Sequence, residues 1–350
     1  MTLNPKKTAI VLLNLGGPDS LRSVKPFLFN LFYDPAIIRL SRPLRWIVAQ
    51  VISTLRDKKA QNIYSLIGGK SSLLEETLKQ QQALDIVLSS RINTKFKSFI
   101  CMRHWHPRAS EVLENIKNFS PTEIILVPLY PQFSSTTSGS SINEFKSLVA
   151  GDAGLSNVPL KTLCCYFNDE KFIDAHISLI KDAIGKLHSN ENYRILFSAH
   201  SLPKKIIDEG DPYQWQIEQT VAKIVSKLHM PGLDYKITYQ SRATPVEWLK
   251  PDTEEEIKAA CTIKKSLIIV PIAFVSEHVE TLVELDIEYK ALADKDKIQY
   301  TRVPTLGINN IFIEALSEMI VNFSNNNQHL SNCKQMRVCP QNFSSCPYKN

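Results

Sequence analysis

The feature that most constrains the fold of this chain is an alternation of short, β-branched apolar runs with longer amphipathic stretches. The runs have strand length and are apolar on both sides of the alternation, as strands covered by helices on both faces are. They occupy residues 9–15, 96–102, 123–130, 193–199, 235–240, 267–275 and 298–304, with helix-like segments such as 212–228 and 279–292 between them. The pattern predicts an α/β fold, doubly wound around parallel sheets.

The chain also repeats itself. The run 124–128, which ends in a proline, returns as 267–271, and Arg103 and Arg242 follow strands at a similar interval. Such steps are typical of tandem half-domains, although buried strands also resemble one another by chance. We therefore predict two similar Rossmann-like halves with parallel sheets. Their predicted limits are 1–150 and 151–330, with a linker near 151–160 and a flexible, cysteine-containing tail at 331–350.

Composition excludes several classes of protein. With 22% charged and 43% hydrophobic residues among 350, the chain is neither disordered, collagen-like nor a coiled coil. The net charge of +6 is scattered, which suits an anionic substrate or an anionic membrane surface better than a nucleic-acid groove. Seven cysteines without a secretory signal predict a reducing compartment. No apolar run approaches the roughly 20 residues that span a bilayer, so we expect no integral membrane protein.

Residues 27–55, which we call the lip, interrupt the alternation. Arg39, Arg42 and Arg45 stand there among aromatic and aliphatic residues, and Pro43 breaks any single long helix. One interpretation is an extra helical pair packed on the core. The other is an exposed apolar surface with a cationic fringe, suited to a membrane or an apolar ligand. The pattern alone leaves both interpretations open.

Polar residues follow several of the predicted strands, and in open α/β sheets ligands bind beyond the carboxyl ends of the strands. The first strand leads into a glycine turn at 16–17, the second into Arg103 and His104, and the third into a hydroxyl-rich loop at 134–141. Neither the dinucleotide fingerprint nor the phosphate-loop pattern occurs.

In the second half, His200 follows one strand and a run of carboxylates follows another. A histidine at a strand end titrates near neutral pH and can reach a cleft, although a lone histidine is more often structural. Glu277, Glu280, Glu284 and Glu288 recur at intervals of three and four residues, which would make an acidic ridge on a helix. That ridge is either a solvated face or a path for cations leading to Glu280 and His200.

Together these stretches resemble the ferrochelatases over about residues 8–330, nearly the whole chain. The resemblance rests on residues 13–18, 196–203, 210–213, 239–242 and 276–289, with Pro245, Trp248 and Pro251. It implies two similar doubly wound halves, a chelatase-like fold that agrees with the repeat. It also implies a lyase that inserts ferrous iron into protoporphyrin IX to give protohaem, the terminal step of haem biosynthesis, with iron as substrate and without a redox cofactor.

A free-base porphyrin must bend and lose two inner protons before it accepts a metal, so binding energy and a positioned base are both needed. The resemblance implies that His200, opposed to Glu280, is the base or metal-transfer residue, and that both coordinate iron in transit. Imidazole and carboxylate suit ferrous iron, and a partial ligand set lets the ion leave. His278 and Glu284 are expected to extend the site and to carry protons or cations.

The resemblance also implies a porphyrin pocket. The macrocycle is expected against Leu15, His104, Phe133, Ser134 and Trp248, with Arg103 beside them. The propionates are expected at Arg56, Tyr64 and Ser71, since a guanidinium can hold a carboxylate at two points. The resemblance favours the functional interpretation of the lip, because porphyrins pass most easily from a membrane surface.

The chain departs from family members that bind a [2Fe–2S] cluster on four cysteines. Ser135 stands at the central ligand position and Asn342 where another thiol is needed, which leaves three cysteines, at 333, 339 and 346. We therefore predict no [2Fe–2S] cluster and no prosthetic group. The remaining cysteines are expected to be buried small hydrophobes: Cys101, Cys164, Cys165 and Cys261.

Alternatives remain at this stage. A related chelatase could use coproporphyrin, or insert cobalt or nickel into another tetrapyrrole, and a non-catalytic porphyrin carrier would need the pocket without the pair His200 and Glu280. The chain shows no transit peptide before the first strand, which predicts a bacterial, cytoplasmic protein held peripherally on the inner membrane. Nucleic acid is not expected as a partner, and both a monomer and a homodimer are open.

Overall fold

The chain divides into two compact units in a computed structural model, which describes residues 6–92, 94–187, 192–242, 245–326, 328–332, 334 and 336–348. The first unit comprises Met1–Cys165, Ile313–Arg337 and Pro347–Asn350. The second comprises Tyr166–Phe312 and Val338–Cys346.

The first unit contains a parallel five-stranded sheet in the order β2-β1-β3-β4-β9. Its strands are β1 (Lys7–Asn14), β2 (Lys95–Met102), β3 (Glu123–Pro128), β4 (Leu160–Leu163) and β9 (Leu330–Ser331). Its helices are α1 (Val24–Phe32), α2 (Arg42–Ser65), α3 (Leu73–Ser89), α4 (Ala109–Phe119), α5 (Ser138–Ala150) and most of α11 (Asn310–Ser324).

The central strands of this sheet are buried on both faces. Alternate residues of β1, Ala9, Val11 and Leu13, pack in one apolar cluster with residues of α4 and α5. The intervening residues Ile10 and Leu12 are also buried. Burial on both faces explains why the strands read as continuous apolar runs instead of alternating ones.

The second unit contains a parallel four-stranded sheet in the order β6-β5-β7-β8. Its strands are β5 (Tyr193–His200), β6 (Tyr235–Gln240), β7 (Ser266–Pro271) and β8 (Tyr300–Arg302). Its helices are α6 (Glu170–Ile184), α7 (Lys204–Asp208), α8 (Tyr213–Leu228), α9 (Thr253–Thr262), a π-helix at Glu280–Tyr289 and α10 (Lys290–Lys295).

The predicted repeat is confirmed by the topology. In each unit the first four strands lie in the same spatial order, with the second strand at the edge and the first strand between the second and third. Pro128 pairs with Leu13 in the first sheet, and Pro271 pairs with Ser198 in the second. The two prolines thus occupy the same place in the two units, and the α/β, parallel, doubly wound class is correct.

The division between the units differs from the predicted one at residue 150. Leu155, in the predicted linker, is buried in the core of the first unit, and β4 pairs with β3. The sequence did not reveal β4 because Lys161 lies within this strand and interrupts its apolar run. That lysine is buried and paired with Glu123 at 3.1 Å, so a charged residue interrupts a core strand.

Strand ends in the second half also differ from the predictions. The run at 267–275 leaves the sheet after Pro271, and the run at 298–304 pairs only at Tyr300–Arg302. The helix predicted at 279–292 is a π-helix followed by α10. Hydrophobicity continued beyond the paired residues because the following loop is itself buried, as Ile272 and Val275 show.

Residues 338–346 of the predicted tail pack on the second unit, and Ser331 at its start pairs with β4 in the first, so the described tail is not a loose extension. Gln216 donates a hydrogen bond to the Sγ atom of Cys339 at 3.2 Å, and Ser345 N donates to Gly210 O at 3.1 Å. Cys339 and Cys346 are both buried. Cys333 lies outside the described residues, whereas the four other cysteines are buried as predicted.

Candidate active site

The imidazole of His200 and the carboxylate of Glu280 meet at one edge of the second sheet. His200 ends β5, and Glu280 begins the π-helix that follows β7, the strand paired with β5. The carboxyl ends of parallel neighbours lie at the same edge, so the two side chains are brought together. His200 Nδ1 lies 3.0 Å from Glu280 Oε2.

A hydrogen bond anchors the backbone of His200, and the side chains of the pair remain partly exposed. Tyr213 at the start of α8 donates its hydroxyl hydrogen to His200 O at 3.0 Å. The side chains of His200 and Glu280 remain 36% and 23% exposed. A small cation or a substrate can therefore reach both groups.

The charges in this site reinforce one another. Burial opposes the charged imidazolium of His200, but the nearby carboxylates of Glu280 and Glu284 outweigh burial and raise its pKa. Burial likewise opposes a charged Glu280, yet His200 and His278 hold the pKa of Glu280 well below its usual range. The result is a strengthened imidazole base beside a permanently charged carboxylate.

His278 is a buried third member of the site. Its Nδ1 lies 3.2 Å from Ser276 O, and its Nε2 lies 3.8 Å from Glu280 Oε2. Thr281 fixes the backbone here, because His278 N donates to its hydroxyl at 3.0 Å. The structure thus brings His278 into the site with one ring nitrogen towards Glu280.

Glu284 forms the inner end of the site. Ser241 N donates to its Oε1 at 2.9 Å, Gln240 Nε2 to its Oε2 at 3.1 Å and Tyr289 Oη to its Oε1 at 2.9 Å. Burial and the charge of Glu280 nevertheless raise the pKa of Glu284. A carboxyl group with a raised pKa takes up a proton at a higher pH than an ordinary glutamate does.

The predicted ridge of four glutamates is therefore only half formed. Glu280 and Glu284 contribute to the site, but Glu277 binds Arg302 and the backbone N–H of Thr305, and Glu288 is exposed. The π-helix has a longer turn than the α-helix assumed in the prediction, so the expected spacing does not hold. Among the described residues, no group of three or more His, Cys, Asp or Glu is arranged to hold a metal ion.

Trp248 also lies near this edge of the second sheet. It forms an antiparallel bridge with Pro203, and Leu249 N donates to Leu202 O at 3.0 Å. The tryptophan is half-buried against the loop that follows His200. Its predicted place on a pocket wall stays a prediction.

In the first unit, Leu15 and His104 lie together at the edge formed by the ends of β1 and β2. His104 N donates to Leu15 O at 2.9 Å, and Asn14 Oδ1 accepts from Leu15 N at 2.8 Å. His104 is 1% exposed. Burial, with the positive charges of Arg103 and Arg108, holds the pKa of His104 well below its usual range, so this imidazole is neutral.

Arg103 binds protein groups with all three guanidinium nitrogens. Its Nη2 lies 3.0 Å from Asp34, its Nη1 donates to Glu144 at 2.9 Å and its Nε donates to the hydroxyl of Ser140 at 2.8 Å. The predicted substrate contact is not supported by this geometry. Arg103 instead joins β2 to α5 and to the end of α1.

The other predicted pocket residues of the first unit divide into two groups. Phe133 and Ser134 are buried in the loop before α5, where Gly139 allows close packing on Phe133. Arg56 is half-buried with its guanidinium 5.7 Å from the Phe32 ring. The remaining two are buried, in the last turn of α2 and in the loop before α3: Tyr64 and Ser71.

Comparison with known proteins decides the family. The sequence pattern of the ferrochelatases matches residues 7–323. A Rickettsia bellii protein named ferrochelatase is 56% identical over 349 residues, 99% of this chain and 96% of that protein. Another, from Pelagibacter ubique, is 47% identical over 347 residues, 98% of this chain and 99% of that protein. The chain belongs to the ferrochelatase family.

Solved structures support the fold. SirB from Bacillus subtilis, solved with Fe3+, matches this ferrochelatase-family chain with a TM-score of 0.54 at 14% identity, covering 92% of this chain and 96% of that one. At this identity the likeness concerns the fold alone, and the predicted chelatase-like fold is confirmed. Family membership confirms the predicted activity, a lyase that inserts ferrous iron into protoporphyrin IX in the terminal step of haem biosynthesis.

The lip of this ferrochelatase is a pair of helices with an exposed apolar stripe. On α2 the side chains of Leu44, Ile47, Val51 and Leu55 follow helical spacing and are all at least half exposed. Between α1 and α2 lies a cleft of about 300 Å3, lined by Lys25, Pro26, Phe29, Asn30, Gln50 and Ser53. In the described residues, we find no helix long and apolar enough to cross a bilayer.

The expected cationic fringe of the lip is reduced. Arg39 and Arg42 are exposed, but Arg45 is buried, with Nη1 donating to Leu40 O at 2.9 Å and its guanidinium 5.2 Å from the Tyr33 ring. Spacing alone predicted one stripe of three arginines. Arg45 turns inward because Tyr33 and the carbonyl of Leu40 offer it partners.

Sequence reasoning overlooked several residues that hold the site. Tyr213, Gln240 and Ser241 lie in stretches that carried the resemblance, yet no role was predicted for them. Asp34, which binds Arg103, lies in the lip. The sequence signal that could have found them is the presence of hydroxyl and amide side chains at or directly after the strand ends.

Proposed function

We propose that the pair His200 and Glu280 carries the chemistry of iron insertion. Glu280 stays charged and attracts the ferrous ion, and His200 supplies an imidazole nitrogen, so the two offer an N/O ligand pair that releases the metal readily. The observation that carries this proposal is the 3.0 Å contact between two side chains that both remain accessible.

Each turnover releases two protons from the porphyrin nitrogens, because two N–H bonds break as the four nitrogens bind the iron. We propose that His200 accepts these protons, since its raised pKa makes it a stronger base than an ordinary imidazole. Glu284, whose pKa is also raised, then passes protons onward. His278 orients Glu280 from the buried side.

We propose that the predicted wall and propionate residues contact the porphyrin: Trp248, Leu15, His104, Phe133, Ser134, Arg56, Tyr64 and Ser71. Apolar and aromatic side chains suit the face of a macrocycle, and the guanidinium of Arg56 suits a propionate. Arg103 supports this wall through Asp34 instead of binding substrate.

An anaerobic assay of ferrous iron insertion tests this function. Wild type should metallate protoporphyrin, whereas His200→Ala and Glu280→Ala should lose at least about 100-fold in kcat while still binding the porphyrin. His106→Ala is a control for the loss of an imidazole, because His106 is exposed and pairs with Glu111 at 2.7 Å. Equal activity of the His200 variant would remove the assignment, and a preference for coproporphyrin, cobalt or nickel would redirect the substrate.

We further propose that the lip docks on an anionic membrane surface, which places the protein peripherally on the cytoplasmic side of the inner membrane. The apolar stripe beside Arg39 and Arg42 supports this. Ile47→Glu should abolish co-sedimentation with vesicles containing anionic lipid, while Asn62→Glu, an exposed change on the same helix, should not. Unchanged sedimentation of Ile47→Glu would refute docking through the lip.

We also propose that the protein works without a [2Fe–2S] cluster. Ser135 replaces one thiol of the family pattern, and Cys339 is packed against Gln216. Anaerobically purified protein should lack stoichiometric iron and sulfide. Their presence would overturn this proposal.

A further inference from the structure

The side chain of Arg302, which has no part in the proposed chemistry, binds the segment that presents the site residues. Arg302 ends β8, and its Nε donates to Asp286 Oδ1 at 2.7 Å and its Nη2 to Asp286 Oδ2 at 2.5 Å. Its Nη1 donates to Glu277 Oε1 at 2.5 Å. One guanidinium therefore binds a carboxylate on each side of the stretch that contains His278, Glu280 and Glu284.

The strand that bears Arg302 holds the same segment at further points. Tyr300 Oη donates to Leu285 O, a carbonyl of the π-helix, at 2.7 Å. Thr305 N donates to the Glu277 oxygen that Arg302 also binds, at 2.9 Å. Because β8 is paired with β7, these contacts tie the π-helix to the sheet that ends in the site.

We propose that Arg302 is a positioning residue for iron insertion, which fixes the segment presenting His278 and Glu280 by binding Glu277 and Asp286 at once. This inference rests on the proposed function of Glu280. A π-helix closes wider turns than an α-helix and is rare, so an external tie that binds Glu277 before it and Asp286 within it has a clear physical purpose.

The burial and geometry of Arg302 favour this role over an incidental surface pair. Its side chain is 13% exposed, and the fork-to-fork contact with Asp286 has the directionality that a lysine cannot reproduce. Arg302 also keeps the pKa of Glu277 low despite burial. Without Arg302, two partly buried carboxylates would repel each other and the neighbouring Glu280.

Arg302→Gln tests the proposal against a matched control. Arg194, at the opposite end of the same sheet, is also 13% exposed and contacts Asp234 at 3.0 Å and Glu256 at 3.7 Å. We expect Arg302→Gln to lower kcat by about 100-fold, the effect of a displacement near 1 Å, with the porphyrin KM unchanged. Arg194→Gln should keep the wild-type kcat even where its melting temperature falls equally.

Amide hydrogen exchange supplies a readout that needs no substrate. Exchange across residues 277–289 should accelerate at least about tenfold in Arg302→Gln and not in Arg194→Gln. Asp286→Asn, which keeps the Glu277 contact, is the milder variant should Arg302→Gln fail to fold, and should show a smaller change of the same kind. Wild-type kcat and exchange in these variants, or equal kcat losses in both arginine variants, would overturn the proposal; an inactive wild type would instead count against the proposed function.

Discussion

The carboxyl edges of the two sheets share a topology but differ in chemistry. Leu13 pairs with Pro128 in one unit, and Ser198 pairs with Pro271 in the other. Two residues after these matched strand positions, the first unit has Leu15 and the second has His200. The first unit thus has an apolar side chain where the second has an imidazole. The two units have equivalent sheet edges because they share a fold, and the different side chains at those edges give them different chemistry.

The pKa values of the imidazoles at the two edges are also shifted in opposite directions. His104, buried beside the cations Arg103 and Arg108, has a lowered pKa, whereas His200, half-buried beside carboxylates, has a raised one. A neutral buried imidazole can pack and accept a hydrogen bond, but it is a poor base at neutral pH. Neighbouring charge, and not the strand end itself, therefore decides which edge can do acid–base work.

The largest expected effect comes from making the second edge resemble the first. His200→Leu removes the base and a proposed iron ligand, so kcat should fall by about 10²–10⁴-fold in the iron-insertion assay. His176→Leu, which removes a buried imidazole from α6, is the control and should keep the wild-type kcat. Comparable losses in both variants would mean that the position of His200 carries no special chemistry.

Much of this comparison could be predicted from the sequence. Buried parallel strands leave a strong signal, so the alternation, the repeat and the strand ends that bear His104 and His200 were found correctly. The resemblance then named Glu280 as the partner of His200, and the structure brings them to 3.0 Å. Their roles in catalysis stay predictions.

The remainder depended on contacts between residues distant in sequence. Periodicity assigned Glu277 to the ridge and Arg45 to the fringe, but Arg302 and Tyr33 turn these side chains elsewhere. β4 was overlooked because its lysine is neutralised by Glu123, which no local pattern reveals. At Glu277 and in β4, ion pairs between residues distant in sequence thus override the local pattern.

A smaller effect should follow from disturbing the C-terminal segment on the second unit. Gly210 has φ +92°, and a Cβ there would lie 2.4 Å from Ser344 Oγ and 2.9 Å from Ser344 N. Left-handed strain of about 1–2 kcal/mol and overpacking of about 1–3 kcal/mol should both lower the free energy of unfolding of Gly210→Ala. Urea denaturation measures the loss.

Gly232→Ala separates the two causes. Gly232 also has a positive φ, +75°, but a Cβ there would meet nothing within 4 Å. It should therefore show only the strain of about 1–2 kcal/mol. Equal losses in the two variants would show that the segment around Ser344 does not pack tightly against Gly210 in solution.

The last expected effect concerns how acid acts on buried imidazoles. Burial lowers the pKa of His176 to about 3, so its unfolded form, with a pKa near 6.5, binds a proton that the folded form refuses. Its contribution to stability is complete above pH 6.5 and is lost as the pH falls towards 3, by about 1.4 kcal/mol per pH unit. His176→Leu should therefore flatten the fall in urea midpoint between about pH 6 and pH 4.

His200 has the opposite sign, because its raised pKa stabilises the fold below the unfolded value and this gain is lost as the pH rises through the folded value. His200→Leu should accordingly leave the slope between about pH 6 and pH 4 unchanged and remove a decline in urea midpoint as the pH rises above about 6.5. A flattened slope below about pH 6 in both variants would contradict the contrast between the two imidazole environments.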